Sequence, residues 1–379
     1  MKWIEQYGHG GDIWSAAKTF GTEASDLLDY SANINPLGVP DSLFPALQRA
    51  LPEIIRYPDP ICRNLRAKLA IQYEVAQEQI LIGNGAAECI QLAVTALQPE
   101  RVGIIYPSFS EYEAVASKAG CEIVPHFTER EDAFLPRIEA LLNLIKRVDM
   151  LFIGHPNNPT GNHLGLEELT AVAEQCRKFD VTLCVDEAFL DFLPDGEELS
   201  LLPRLAEFPN VLLFRSMTKI YAIPGLRLGY CIGHPEIIER LSSQKIPWSV
   251  NHLAQAAGEI LLDEQEYIQK TQAFVTEERI WLKERLTACK SIHVFPSKTN
   301  YLLLHVHGLT SYAIQQSMAE KGILIRNCSM YPGLGEGYLR VAVKTRAENE
   351  RMADTLIQVV RGLREGRPSV LRSAEEGLR

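Results

Sequence analysis

The chain has no run approaching the ~18 consecutive apolar residues that a membrane-spanning helix needs. It also has no Cys-x-x-Cys pair, no internal repeat and no low-complexity tract. Its eight cysteines, at 62, 89, 121, 176, 184, 231, 289 and 328, are scattered, mostly in apolar stretches such as Leu183-Cys184-Val185. That pattern argues against a disulfide framework or a zinc site and for buried, reduced thiols. Basic charge is short as well: 38 Lys and Arg against 48 Asp and Glu leave a net charge of −10, with no basic run. Nucleic acid and anionic membrane surfaces are therefore not expected as partners. An anionic ligand must be caught by a local group of cations. The opening Met1–Gln6 carries no apolar signal core, so the cytoplasm is the expected compartment.

What is present is the composition of a globular enzyme, 46% hydrophobic and 23% charged over 379 residues. This length suggests two lobes rather than one small core. Short apolar runs bounded by turns recur at 79–82, 102–106, 150–153, 181–185, 211–214 and 228–232. Near-continuous runs of this kind predict strands buried on both faces of a mostly parallel sheet. Helical patterns such as Leu166–Ala173 lie between them, so the expected class is α/β, a sheet sandwiched by helices. Beyond 250, Ile268, Val275, Leu282 and Leu286 mark one face of a long amphipathic helix. Strand-like runs at 301–306 and 338–343 follow, as expected of a smaller α+β domain. The predicted organisation is an arm over 1–40 joining the small domain, a large domain over 41–250, a small domain over 251–365 and a flexible tail over 366–379.

In an open α/β sheet the loops after the strands share one crevice. Gly83-Asn84-Gly85-Ala86 follows the first run and opens a helix, offering N–H groups to a phosphate. Tyr106-Pro107-Ser108-Phe109 follows the second run and offers an aromatic face, while His155-Pro156-Asn157-Asn158-Pro159-Thr160-Gly161 follows the third. Asp186 ends the fourth, where a buried carboxylate calls for a cationic partner. Ser216-Met217-Thr218-Lys219 ends the fifth, with Arg227 eight residues beyond Lys219. An amine for an aldehyde, with a hydroxyl and a guanidinium for a phosphate, is the set that pyridoxal phosphate needs. Glu88 and Glu187 read as helix-cap or surface groups. His305 and His307 alternate on a strand with no third ligand nearby, so they are not expected to bind metal.

Taken together, and in this order, the clusters resemble the aspartate-aminotransferase-like, fold-type I pyridoxal-phosphate family from about residue 30 to 360. The resemblance implies a large cofactor-binding domain, a smaller C-terminal domain and a homodimer. It implies that Lys219 bonds to the aldehyde of pyridoxal 5'-phosphate and that Asp186 keeps the pyridine nitrogen protonated. Asn158 then donates to the phenolic oxygen, and Phe109 stacks on the ring. Gly85, Ala86, Ser216 and Arg227 bind the cofactor phosphate, and Tyr57, in Arg56-Tyr57-Pro58-Asp59-Pro60, reaches the phosphate of the neighbouring subunit's cofactor. Arg340, in Tyr338-Leu339-Arg340-Val341, matches the arginine that grips a substrate carboxylate.

Within the family, the Arg56–Pro60 and Asn157–Gly161 segments are shared with the histidinol-phosphate aminotransferases. Gly8–Asp12, Tyr30–Gly38 and Thr218–Arg227 resemble the threonine-phosphate decarboxylases of cobalamin synthesis. Phe189 stands where the aminotransferases usually have a tyrosine, so that hydroxyl is missing. The expected reaction is decarboxylation of L-threonine O-3-phosphate, with histidinol-phosphate transamination as the alternative. A substrate with two anionic groups needs two anchors. Arg340 is expected on its carboxylate and Arg326 and His9 on its phosphate, with Asn33 and Asn158 also at the substrate.

Overall fold

The computed structural model describes residues 10–366. His9, the first nine residues of the expected arm and all but Gly366 of the expected tail lie outside the described residues. Thirteen strands are described among them: β1 (Leu28–Asp29), β2 (Ile80–Gly83), β3 (Arg101–Tyr106), β4 (Glu122–Phe127), β5 (Met150–Gly154), β6 (Thr182–Asp186), β7 (Val211–Ser216) and β8 (Gly229–Gly233) in the first two-thirds of the chain, then β9 (Ile292–Val294), β10 (Tyr301–Val306), β11 (Ile323–Leu324), β12 (Arg326–Asn327) and β13 (Tyr338–Ala342).

Seven strands form the central sheet in the order β2-β8-β7-β6-β5-β3-β4, and β8 alone runs against the rest. The apolar runs account for six of the seven. In β6, Leu183, Cys184 and Val185 are wholly buried, and each buried aliphatic side chain there stabilises the sheet by roughly 1.5–3 kcal/mol. The seventh strand, β4, was not among the expected runs. It lies at the sheet edge with exposed and buried residues mixed and with Pro125 inside it, a pattern that edge strands tolerate and central strands do not. Helices cover both faces of the sheet and bury two apolar clusters against it. The helix expected at Leu166 runs Leu166–Lys178 and turns Leu169, Val172, Ala173 and Cys176 inward.

The long amphipathic helix is Gln265–Thr287, with Val275, Leu282 and Leu286 buried. After it comes a C-terminal small domain built on the antiparallel sheet β12-β13-β10-β9 with its own core. β1 pairs in parallel with β11, Leu28 opposite Ile323, so the N-terminal segment returns to this end of the molecule. All eight cysteines are free thiols, seven of them buried. No described helix is long and apolar enough to cross a membrane.

Candidate active site

Because β8 alone is reversed, the C-terminal ends of β2, β3, β5, β6 and β7 reach the same edge of the sheet, and β8 begins there. The loops at that edge enclose a cavity of about 460 Å³. Gly85 and Ala86 follow β2, Phe109 follows β3, Asn158 follows β5 and Asp186 ends β6. Ser216 ends β7, Lys219 lies in the helical turn Met217–Ile220, and Arg227 precedes β8. The small domain closes the cavity with Arg326 from β12 and Arg340 from β13, while Ser31 and Asn33 come from the segment after β1. Every expected cavity residue among those described is thus brought together, except Tyr57. That side chain is 81% exposed and packs on the Trp248 ring, centroids 4.8 Å apart, beside a separate depression near Arg49 and His252.

The phosphate-sized corner follows from backbone geometry. Gly85 sits at φ +82° as N-cap of the helix Ala86–Leu97, whose first N–H groups face the cavity with the positive end of the dipole. A Cβ on Gly85 would stand 2.6 Å from Arg227 Nη2, so glycine is required for the guanidinium to lie against this helix start. Ser216 Oγ and Thr218 Oγ1, which line the same cavity, share a hydrogen bond of 2.8 Å.

Electrostatics set the two titrating groups. Burial, then the nearby guanidinium groups of Arg340 and Arg227, lower the Lys219 amine to about 8, with Asp186 pulling the other way. Burial raises the Asp186 carboxyl, opposed by two hydrogen bonds and by the charge of Lys219. The cationic partner expected for Asp186 is not among its hydrogen-bonded neighbours in the described chain. Its bonded partners are neutral, Tyr112 Oη donating at 2.6 Å and the Ala188 N–H at 3.0 Å, and Lys219 acts on it only through its field. Tyr112 is held by stacking on Phe152, centroids 4.9 Å apart, with Phe109 edge-on to it.

The reading of Glu187 as a cap or surface group is also overturned: it is fully buried and bonded to Arg215 and Ser200. Glu88 does cap its helix, accepting from the Asn84 N–H at 2.6 Å. The His305 and His307 rings meet edge-on at 4.6 Å, and no metal-binding cluster of three or more His, Cys, Asp or Glu occurs among the described residues.

Arg340 is fixed before any ligand arrives. Its Nη2 donates to the Ser31 carbonyl at 2.7 Å, its Nη1 donates to Asn158 Oδ1, and its guanidinium lies 5.4 Å from the Tyr301 ring centroid. Arg340 Nε and Asn33 Oδ1 are buried polar atoms with no hydrogen-bond partner in the structure, as expected at a site that completes its bonding with a ligand. Tyr112, Thr218, Ser31 and Tyr331 line the same cavity and were not expected. Tyr112 falls three residues after Phe109, one helical turn on, so the spacing puts it beside Phe109 without marking its bond to Asp186.

A lysine at a strand end, a phosphate-sized cradle and a buried carboxylate on a seven-stranded sheet with one reversed strand together define a fold-type I pyridoxal-phosphate enzyme. The cradle at Gly85 and Arg227 fits the phosphate of that cofactor, and the buried Asp186 carboxylate fits its ring nitrogen. The chain belongs to the aminotransferase class I and II family, whose model matches residues 25–356. It is 39% identical to the threonine-phosphate decarboxylase of Salmonella typhimurium over 356 residues, 94% of this chain and 97% of that one. Among solved structures it resembles the histidinol-phosphate aminotransferase of Clostridium acetobutylicum, with a TM-score of 0.84 and 30% identity, covering 89% of this chain and 100% of that one. It also resembles the L-threonine-O-3-phosphate decarboxylase of Porphyromonas gingivalis, with a TM-score of 0.79 and 26% identity at the same coverage.

Proposed function

We propose that the protein decarboxylates L-threonine O-3-phosphate to (R)-1-amino-2-propanol O-2-phosphate, a step of cobalamin synthesis, using pyridoxal 5'-phosphate. The observation that carries this reading is the pairing of two buried arginines, Arg326 and Arg340, over the cavity that holds Lys219. Threonine phosphate presents a phosphate and a carboxylate, one anion for each. Histidinol phosphate has a phosphate and no carboxylate, but the 2-oxoglutarate of a transaminase also carries two anions, so the arginine pair sets the charge of the ligand and the relatives set the reaction. The 39% identity to a decarboxylase over nearly the full chain supports the same choice.

Lys219 would bond to the cofactor aldehyde. Gly85, Ala86, Ser216, Thr218 and Arg227 would hold its phosphate, Phe109 its ring face, Asp186 its ring nitrogen and Asn158 its phenolic oxygen. Asp186, whose bonded partners in the chain are neutral, would find its cationic partner in the protonated ring nitrogen. Bound there, the cofactor offers an electron sink for the pair released when a bond at the substrate Cα breaks.

The remaining work belongs to the protein. Arg340 orients the carboxylate, and its own orientation is set by Asn158 and the Ser31 carbonyl. Arg326 anchors the phosphate, with His9 as its expected companion. Held at the phosphate by Arg326 and at the carboxylate by Arg340, the substrate would have its Cα fixed beside Lys219. Lys219 Nζ, freed when the substrate amine takes its place on the aldehyde, would be the group placed to deliver a proton to Cα once carbon dioxide has left.

A homodimer is part of the same reading. Ile54, Ile55, Tyr57, Ile246 and Trp248 are exposed apolar side chains of one region, and a second copy covering them would carry Tyr57 to its neighbour's cofactor phosphate. Reduced thiols suit the cytoplasm.

The second reading, histidinol-phosphate transamination, is favoured by the likeness to the Clostridium enzyme. Phe189 argues against it, presenting a bare ring edge-on to Tyr301 at 5.0 Å where a hydroxyl is usual. The test is carbon dioxide release by the holoenzyme from L-threonine O-3-phosphate without a keto acid. Turnover of histidinol phosphate that requires 2-oxoglutarate, with no carbon dioxide formed, would reverse the choice.

A further inference from the structure

Behind the cavity wall lies a buried ion pair that touches none of the cavity space. Glu187 directly follows Asp186, and Arg215 directly precedes Ser216, so the residues flanking two cavity side chains meet on the far side of the sheet. Alternation along the strand turns Arg215 away from the face that Ser216 presents. Both side chains are sealed from solvent, and Arg215 Nε donates to Glu187 Oε2 at 2.6 Å. The strands are tied again at the same level by the Glu187 N–H, which donates to the Phe214 carbonyl at 2.8 Å.

The guanidinium is saturated. Its Nη1 donates to Glu197 at 2.8 Å and Asp191 at 3.3 Å, and its Nη2 donates to Glu197 at 3.2 Å and to Ser200 Oγ at 3.4 Å. With the Glu187 bond, these contacts engage all five N–H donors of the fixed fork. Ser200 in turn donates to Glu187 Oε1 at 2.7 Å and closes the ring of contacts. The far face of the guanidinium lies 5.6 Å from the Tyr73 ring centroid, and the Tyr73 hydroxyl shares a 2.6 Å hydrogen bond with that of Tyr230, the β8 neighbour of Arg215. A side chain serving only to fill space needs no such saturation, because apolar residues of similar volume commonly replace a buried ion pair without loss of stability.

We propose that Arg215 and Glu187 are positioning residues, a clamp that fixes the end of β6 bearing Asp186 against the end of β7 leading to Ser216 and Lys219. The clamp thereby sets the placement of the cofactor ring nitrogen relative to the lysine. This rests on the cofactor reading of the cavity. A shift of about 1 Å between catalytic groups costs on the order of 10²-fold in rate, so the clamp registers in chemistry as well as in stability.

The test uses the double variant Glu187→Met/Arg215→Met, which removes both charges together. Three quantities are read: melting temperature, dissociation constant for pyridoxal 5'-phosphate from visible absorbance, and visible circular dichroism of the bound cofactor. The expected result is a melting temperature moderately below that of the parent, because Asp191 and Glu197 lose the guanidinium. Cofactor affinity falls roughly tenfold to 10²-fold, the dichroic band weakens, and kcat drops by a similar factor while KM for threonine phosphate holds. Parental affinity, dichroism and kcat in the double variant would overturn the clamp.

If that variant does not fold, Arg215→Lys carries the question, since an ammonium keeps the charge but cannot span Glu187, Asp191 and Glu197 at once. It should show an intermediate loss of cofactor affinity, and unchanged affinity there overturns the proposal too. Glu187→Gln, whose amide oxygen can still accept from Arg215 Nε while its NH2 donates to Ser200 Oγ, should retain most of the dichroic band, and its loss with the fold intact would overturn the clamp as a matter of geometry. A parent protein that binds no cofactor would sink the cofactor reading itself. A parent that binds it, with variants that match it, sinks the clamp alone.

Discussion

Arg326 and Arg340 stand directly opposite each other in the antiparallel β12–β13 pair, each 5% exposed, and both face the cavity that holds Lys219. Like charges opposed across a strand pair are destabilising, and burial of charge adds to the cost. A ligand carrying two negative groups repays that arrangement. Replacing Arg326 by alanine should raise KM for L-threonine O-3-phosphate roughly ten- to 100-fold, the equivalent of one charged hydrogen-bonding group at about 1.5–3 kcal/mol. The effect on kcat should be smaller. Steady-state kinetics at saturating cofactor reads both, and an unchanged KM removes Arg326 from the phosphate end.

The lowered Lys219 amine makes a pH prediction with a definite sign. Its folded value of about 8 lies below the ordinary 10.5, so the unfolded chain binds the proton more tightly between those limits. Stability of the cofactor-free protein therefore rises as pH climbs from about 8 to 10.5, and the penalty is complete below 8. Lys219→Met removes the titrating group. It should melt higher than the parent at pH 7 and lose most of that advantage by pH 10. The neutral amine is also the nucleophile. Cofactor uptake by the parent, followed in the visible, should thus accelerate with a midpoint near pH 8, and Lys219→Ala should show neither the visible band nor turnover. A pH-independent rate of uptake would contradict the assignment.

The parts of this molecule that sequence reveals are those with unbroken apolar runs. β2, β3, β5, β6, β7 and β8 are buried on both faces and announce themselves, and their following loops name Gly85, Phe109, Asn158, Asp186 and Lys219. β4 is hidden by its edge position, because half-exposed residues and Pro125 erase the pattern. The two-residue strands β11 and β12 are too short for any period to show. Arg326 was therefore named without its place opposite Arg340. Tyr112 lies on a helix of mixed character, and nothing local marks it as the donor to Asp186. Glu187 reads as polar because it neighbours Asp186 and the end of an apolar run. Its burial depends on Arg215, 28 residues away, and contacts at that separation are invisible to local patterning. The roles of the cavity residues came from family resemblance rather than from spacing.

Gly85→Ala tests the cradle. The backbone at φ +82° and ψ 160°, a region essentially confined to glycine, costs another residue roughly 1–3 kcal/mol, and the new methyl would meet Arg227 Nη2 at 2.6 Å. Arg227 must swing away from the helix start, so one cation leaves the phosphate corner. Cofactor affinity should fall at least about tenfold, a loss of 1.4 kcal/mol or more. Melting temperature should drop by a few degrees in both the free and the loaded protein. Equilibrium titration with pyridoxal 5'-phosphate distinguishes this from a purely structural defect, in which affinity per folded molecule stays at the parental level.

Tyr112→Phe isolates the hydrogen bond that moderates Asp186. Burial raises the Asp186 carboxyl, while the Tyr112 hydroxyl and the Ala188 N–H hold it down. Removing the hydroxyl should raise it further without emptying the stack on Phe152, since the ring remains. A carboxyl raised on folding means that the native state holds its proton to higher pH than the unfolded chain does. Stability of the cofactor-free protein then falls as pH rises from near 3.8 through the raised folded value. The variant should match the parent at pH 4 and lie below it at pH 7, by about 1–3 kcal/mol for an unsatisfied buried acceptor. Loading the cofactor should shrink the gap, because a ring-nitrogen cation would restore the partner that the hydroxyl had supplied. Urea melts of both proteins at the two pH values, with and without cofactor, give the four differences required. A gap of equal size in all four would mean that Tyr112 acts by packing alone and leaves the Asp186 proton untouched.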